Sequence, residues 1–312
     1  MFDTGTVIDS AYRIMSAPRE GGMAEIYAVV RLKDSKRAAL KILKEEFRKS
    51  ADALGRLNHE EEIGLRLKHR NIMEIYPHAG EKSFPYLVGE FIEGPTLAEF
   101  IAKHRWLALP TAFKIIMQTI DAVEYMHSQG IIHQDLKPEN IVVLENGAIK
   151  IIDFGLAYYS GSKNVAWKNM LSIGGTVEYT SPQRLNGDIT NGADVYALGI
   201  IMYQMLSGNL PYTGQEVIDY SQGKLKKAAP KPPSAYNKNI HPKLEKVIMR
   251  AVSFEKKDRY ISATALGYAL SKVADASLKY RKKDVDWLLI IFLVLLAVAA
   301  YIGFELFLVL RH

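Results

Sequence analysis

Residues 133–140, "HQDLKPEN", place an acid (Asp135), an amine (Lys137) and an amide (Asn140) within one short loop. Apolar, β-branched residues flank it on both sides, Ile131 and Ile132 before and residues 141–143 after. Downstream, "IKIIDFGLA" carries a second acid, Asp153, between an apolar strand pattern and Gly155. Two carboxylates and an amide on strand-flanked loops suit Mg²⁺, a hard cation that takes oxygen ligands. One carboxylate and the amide can hold the metal, which leaves the other carboxylate to orient a hydroxyl. A lone Asp on a loop is more often a turn former. The joint spacing carries the signal.

Two upstream features add to it. "REGGMAEIY", residues 19–27, lies between strand-like runs, and its Gly21 and Gly22 let backbone N–H groups approach phosphates closely. By itself a Gly-Gly turn serves a hairpin equally well. Lys41, in "AALKIL", stands in an apolar strand context and needs a partner, which Glu60, Glu61 or Glu62 can supply. Two of those three acids are expected on a solvated helix face.

The elements that position these residues fall into two groups. Residues 12–17, 25–32, 38–43, 72–78 and 86–91 are β-branched or aromatic runs, interrupted by one helical stretch over about 45–67. Beyond "EGPTL" the period changes. Residues 109–128 repeat apolar positions at helical spacing, and 193–206, 242–254 and 262–273 also predict helices. A β-rich lobe with one helix therefore precedes a mainly helical lobe, an α+β architecture. Residues 224–238, rich in Pro and Lys, predict a solvated loop.

Taken in order, the motifs resemble those of a eukaryotic-type (bacterial Hanks-type) serine/threonine protein kinase: the Gly-rich loop at 19–24, "AALK" ending at Lys41, "HQDLKPEN", "DFG" at 153–155, "GTVEY" at 175–179, "SPQ" at 181–183 and "DVYALG" at 194–199. The resemblance covers about residues 10–275 and implies the two-lobed protein-kinase fold, with an N-lobe over about 12–89, a hinge over about 90–95 and a C-lobe over about 96–275. It implies ATP and Mg²⁺ (or Mn²⁺) as cofactors and Ser/Thr of proteins as acceptors. Lys41 would hold the α/β-phosphates and pair with Glu60, nine residues before His69 of "LKHRNI". Asp135 would be the catalytic base, with Lys137 beside it, and Asn140 and Asp153 the metal ligands. Gly21, Gly22, Ala24, Ile26, Ala39, Val142, and the backbones of Glu90 and Ile92 would enclose the nucleotide. Thr176 would line the acceptor site, Asp194 would brace the catalytic loop, and Arg259 would match the arginine that pairs with the acid of an "APE" triplet.

Four positions depart from that pattern. Arg19 and Ala24 stand where loop glycines are expected, and Arg19 can stiffen the loop or contact phosphate. Gln134 replaces an arginine that in many members reads an activation-loop phosphate, which a neutral amide cannot do. The resulting expectation is a kinase that needs no phosphate on Ser160, Ser162 or Ser172. Gln183 replaces the acid facing Arg259. Gly89 falls at the gatekeeper position and predicts an open pocket behind adenine. None of these removes Lys41, Asp135, Asn140 or Asp153, which argues against a pseudokinase scaffold; Lys137, "GTVEY" and "SPQ" argue against a small-molecule phosphotransferase.

The rest of the 312-residue chain sets further bounds. With 48% apolar and 24% charged residues it is mostly globular. Its net charge of +6 is spread out, which favours a solvated surface over nucleic-acid binding. No cysteine is present, so a disulfide framework is excluded. Residues 1–15 carry no basic and then apolar pattern, so no secretory leader is expected. Residues 287–310 form an apolar run with one charge, Glu305. As a helix it would reach about 36 Å, enough to cross a hydrocarbon core of about 30 Å. Residues 276–286 form a basic linker before it, and the cations Lys279, Arg281, Lys282 and Lys283 place the kinase domain in the cytoplasm and the C-terminus outside a cell membrane. Only two residues follow the span, so no outer sensor domain is expected. Small residues in the span permit close helix contact, so self-association for trans-phosphorylation stays open.

Overall fold

A computed structural model describes residues 2–78, 80–159, 177–226 and 229–280. The apolar run at 287–310, the hydroxyls of Ser160, Ser162 and Ser172, and Thr176 lie outside the described residues. Among those described, no helix is long and apolar enough to cross a membrane.

The strand-like runs build one antiparallel sheet from β1 (Val7–Ile8), β2 (Tyr12–Ile14), β3 (Arg19–Glu20), β4 (Ala24–Arg31), β5 (Arg37–Leu43) and β6 (Tyr86–Glu90). Their order is β1-β2-β4-β5-β6, with β3 alongside β4. Strand alternation sends Tyr27, Leu40, Ile42 and Val88 to one face, where they form one core. Leu43, Leu87 and Ile75 go to the other, against Ala53 and Leu57 of the helix α1 (Ala51–Gly64). Lys41 lies directly across from Leu87. That register aims Lys41 at the helix face of the sheet.

Two expectations change here. The helical stretch at 45–67 is a 3₁₀ turn, Glu45–Phe47, followed by α1, because Ser50 caps a fresh start by accepting from Ala53 N. Residues 72–78 do not form one continuous strand. Ile75 bridges Gly89 of the sheet, whereas Ile72 bridges Ile151 in the helical lobe. Residues 74–76 do bond to β6, Tyr76 N donating to Val88 O at 2.8 Å and Glu90 N to Glu74 O at 2.7 Å, but Ile72 turns to the other lobe and Pro77 offers no N–H, so the pairing ends there.

The C-lobe follows with α2 (Leu97–His104), α3 (Leu109–Ser128), the short strands β7 (Ile131–Ile132), β8 (Ile141–Val143), β9 (Ile149–Ile151) and β10 (Tyr158–Tyr159), then α4 (Pro182–Leu185), α5 (Asn191–Ser207), α6 (Gly214–Ser221), α7 (Pro242–Ala251) and α8 (Ala263–Leu278). α5 is apolar nearly all round and is buried as such, with α3, α7 and α8 packed on it. Gly199 allows the α7 contact: a Cβ there would lie 2.7 Å from Ala251 Cβ. α2 and α6 were not anticipated. Each opens with a capping box, Thr96 with Glu99 and Thr213 with Glu216.

Between the lobes, Gly94 adopts φ 155° and passes so close to the Val143 carbonyl that no Cβ would fit. The chain then pairs with β8, where Val143 N donates to Pro95 O at 2.9 Å.

Candidate active site

Two antiparallel strand pairs hold the loops that carry the acids. β8 pairs with β9, and β7 with β10. The turn between β7 and β8 contains residues 133–140, and Asp153 follows β9 after Ile152. Both loops bend through left-handed backbone at a residue other than glycine, Gln134 at φ 64° and Asp153 at φ 67°. Such conformations cost on the order of 1 kcal/mol or more and need local compensation. Asp194 of α5 compensates the first. Its Oδ1 accepts from Gln134 N and its Oδ2 from His133 N, each at 2.9 Å, and His127 Nε2 lies 2.8 Å from Oδ2. At the second bend, Gly155 N donates to Asp153 Oδ1 at 3.1 Å. Phe154 is fully buried and meets the His133 ring edge-on at 6.0 Å.

These bends open onto a cleft of about 350 Å³ lined by Gly21, Gly22, Ala24, Ile26, Lys41, Glu60, Asp135, Lys137 and Asp153 among others. Lys41 Nζ donates to Glu60 Oε2 at 2.6 Å and lies 3.9 Å from Asp153 Oδ1. Burial opposes the charge on Lys41, but Asp153 and Glu60 outweigh it and hold the ammonium above its ordinary value. Lys41 in turn is the main cause holding the Asp153 carboxyl below its ordinary value. Burial pushes Glu60 up to about 7, against the pull of Lys41. Of the other two acids in that run, Glu61 is not simply solvated: both its oxygens accept from Lys82 Nζ, at 2.7 and 2.8 Å. Glu62 lies 3.8 Å from Arg66.

Asp135 is held from two sides. Lys137 Nζ reaches both its oxygens, at 3.1 and 2.9 Å, and Asn140 Nδ2 donates to its carbonyl at 2.8 Å and to Oδ2 at 3.1 Å. The Asn140 nitrogen is thereby committed, and its Oδ1 is the atom left for a cation. Asn140 also accepts from Ile152 N at 2.9 Å through its backbone, which ties the two acid-bearing loops together.

Not every expected nucleotide residue lines this cleft. Ala39 faces Gly89 across the sheet, and Val142 bridges Thr96. Glu90 and Ile92 border a separate shallow depression with Leu144 and Asn146. Lys150 Nζ occupies the Glu90 carboxylate at 2.7 Å, and Glu90 N donates to Glu74 O. The pocket expected behind Gly89 is filled: an added Cβ would lie 3.2 Å from both Glu74 O and Ile75 Cδ1, and 3.6 Å from Met73 Sδ. Arg19 reaches away from the cleft to Glu99 of α2, at 2.7 Å. The pair is exposed, so it contributes under about 1 kcal/mol. Gln183 Oε1 accepts from Arg259 Nη2 at 2.6 Å while Gln183 Nε2 donates to Phe254 O at 2.7 Å.

Sequence reasoning missed His127, which supports Asp194, and His59, whose Nε2 meets Ala157 O at 2.5 Å and links α1 to the segment after Asp153. Neither lies in a recognisable motif; their partners are 67 and 98 residues away.

The donor set fits a nucleotide-borne Mg²⁺. Asp153 and Asn140 offer oxygen ligands beside a fixed ammonium, and such sites use one or two carboxylates plus substrate phosphates. Among the described residues no three His, Asp or Glu side chains gather around one point. Above, a Cβ at Gly22 would meet nothing within 4 Å, so the turn presents bare backbone.

Comparison with known proteins agrees with this arrangement. The protein kinase domain family matches residues 19–268. A probable serine/threonine-protein kinase of Clostridium perfringens is 32% identical over 86% of this chain and 39% of its own length. Serine/threonine-protein kinase PrkC of Bacillus subtilis is 31% identical over 87% of this chain and 42% of its own. The chain thus spans about two fifths of the length of these curated relatives. In fold it is similar to the crystal structure of the Mycobacterium tuberculosis PknI kinase domain, with a TM-score of 0.67, 22% identity, and coverage of 87% of this chain and 99% of that one. The chain belongs to the protein kinase family, with a two-lobed domain of the bacterial Hanks type.

Proposed function

We propose that the chain transfers the γ-phosphoryl group of ATP to Ser or Thr hydroxyls of proteins. The observation that carries this reading is the convergence of the Lys41–Glu60 pair, Asp153, and Asp135 with Lys137 on one cleft. Phosphoryl transfer asks mainly for positioning and charge neutralisation. Lys41 supplies a fixed positive charge for the α/β-phosphates. The Gly21–Gly22 turn covers them with backbone N–H groups. Asp135 accepts the hydroxyl proton, and Lys137 keeps its carboxylate in place. Asp153 and Asn140 would hold Mg²⁺, which when bound offsets phosphate charge. The family resemblance would put Ala39, Val142 and the backbones of Glu90 and Ile92 on the adenine side, although none of the four lines the cleft that holds Lys41 and Asp153.

Labelled phosphate transfer from ATP to a generic basic protein, with Mg²⁺ or Mn²⁺, tests the reading. Wild type should label the acceptor and Asp135→Asn should not; silence of both would refute it. The membrane-spanning role of residues 287–310 belongs to the same proposal, supported by their length and apolar character. Deleting them should move the protein from the membrane to the soluble fraction of lysed cells; an unchanged distribution would remove that part.

A further inference from the structure

The short strand β3 is held by the sheet on one side only. Among the described residues it pairs with β4 alone, Arg19 opposite Ile26 and Glu20 opposite Glu25, and both its side chains are exposed. The turn that follows is tight. Gly21 N donates to Ala24 O at 2.9 Å, and a Cβ at Gly21 would lie 2.9 Å from that same oxygen. β3 and its turn therefore form one hairpin tip. Gly21, Gly22 and Ile26 of this tip line the cleft. Whatever fixes β3 also fixes the cover of the cleft.

Arg19 does not line the cleft itself. Its guanidinium crosses to the C-lobe, where Nη2 donates to Glu99 Oε1 at 2.7 Å. Glu99 is already oriented to receive it. In the capping box of α2 its Oε2 accepts from Thr96 N at 2.7 Å, and its own N–H donates to Thr96 Oγ1 at 3.2 Å. Oε1 is left for Arg19. Thr96 in turn bridges Val142 of β8, the strand that leads out of the loop bearing Asp135. The other charged contact of β3, Glu20 with Lys44 at 4.0 Å, stays within the N-lobe. Among the described residues, the Arg19–Glu99 pair is the ion pair that ties this hairpin tip to the C-lobe.

We propose that Arg19 is a positioning residue for the nucleotide: its ion pair with Glu99 clasps the Gly21–Gly22 turn to α2, keeps the turn closed over the phosphates and slows nucleotide release. This rests on the kinase reading above. A glycine at position 19 could not make the contact, since it has no side chain to reach α2.

The test uses the full chain, a fluorescent ADP analogue with Mg²⁺, and the variants Arg19→Gln, Glu99→Gln and Arg19→Gln/Glu99→Gln. Glutamine at 99 keeps the cap of α2, because that position of a capping box takes Glu or Gln. Each single variant should release the analogue roughly two- to fivefold faster, the scale of an exposed ion pair. The KM for ATP should rise by a similar factor while kcat falls less than about twofold. The double variant should match the single ones, since each removes the same pair. Raising the ionic strength from about 0.05 M to about 0.5 M should speed release from wild type and hardly affect the variants. A purely structural role would lower the melting temperature without this salt dependence. The inference is overturned if the single variants release the analogue at the wild-type rate, or if their effects multiply in the double variant. A wild type that binds no nucleotide removes the kinase reading and this inference with it; binding with unchanged release in the variants removes the inference alone.

Discussion

Replacing Gln183 by Glu would test how the C-lobe carries its buried arginine. Arg259 is 2% exposed, and neutral acceptors hold it: Ser253 O at 2.6 Å, Gly192 O at 3.2 Å, Phe254 O at 2.8 Å and Gln183 Oε1 at 2.6 Å. The guanidinium also lies over the Tyr196 ring, 4.9 Å from its centre. Burial pulls Arg259 down to about 10 from 12.5. At about 1.4 kcal/mol per pKa unit, its charged form is on the order of 3 kcal/mol less favourable inside than in water. A carboxylate on the Gln183 contact would recover part of that, since a charge-assisted bond is roughly twice as strong as a neutral one. Against this stand the desolvation of the new carboxylate and the loss of the Gln183 Nε2 bond to Phe254 O, an oxygen that keeps Arg259 as donor. The net expectation for Q183E is a gain of about 1–2 kcal/mol near pH 7.5, read by urea unfolding at constant m. The sign with pH follows from pairing. A carboxylate paired with Arg259 has a folded pKa below its unfolded value of about 4.3. Its contribution is present above that value and lost as pH falls through the folded one, so the gain should vanish in acid. A Q183E protein no more stable than wild type near pH 7.5 would refute this reasoning and show that the neutral acceptors already satisfy Arg259.

Glu60→Gln should lower kcat/KM roughly ten- to a hundredfold, because Lys41 would then have Asp153 as its charged neighbour in the cleft. Stability near pH 7 should change by under about 1 kcal/mol, since burial already brings Glu60 to about 7 and the pair nearly breaks even; a loss above about 3 kcal/mol in urea would contradict this. Gly199→Ala should cost about 1–3 kcal/mol or more, read as a lower melting temperature, because its Cβ would press 2.7 Å from Ala251 Cβ between packed helices. Asp194→Asn addresses acid stability. Burial would raise the Asp194 carboxyl, but His127 and the loop N–H groups outweigh burial and hold it below its ordinary value. Its contribution is thus present above the ordinary carboxyl value of 3.8 and lost as pH falls through the folded value, so acid unfolding curves of wild type and variant should converge below that point.

Much was legible along the chain because it depends on local order. Apolar spacing placed one helix over 109–128, and α3 spans Leu109–Ser128. The pairing of Lys41 with Glu60 followed from family spacing, and the two side chains do meet. α2 and α6 were legible too: "TLAE" and "TGQE" are capping-box patterns that could have announced them.

Other features had no local signature. Residues 72–78 look like a strand by composition, but a strand is defined by its neighbour, and here the neighbours lie in both lobes. Gly89 suggested an empty pocket, and only packing showed Met73 and Ile75 filling it. The motif residues Lys41, Asp135, Asn140 and Asp153, and the chemistry they can perform, were determined by the sequence alone, since residue type and order suffice for that. The support around them was decided by tertiary structure: His127 beside Asp194, and His59 against Ala157. A side chain's environment depends on residues that folding brings together from 67 to 98 positions away, and one-dimensional spacing does not encode that distance.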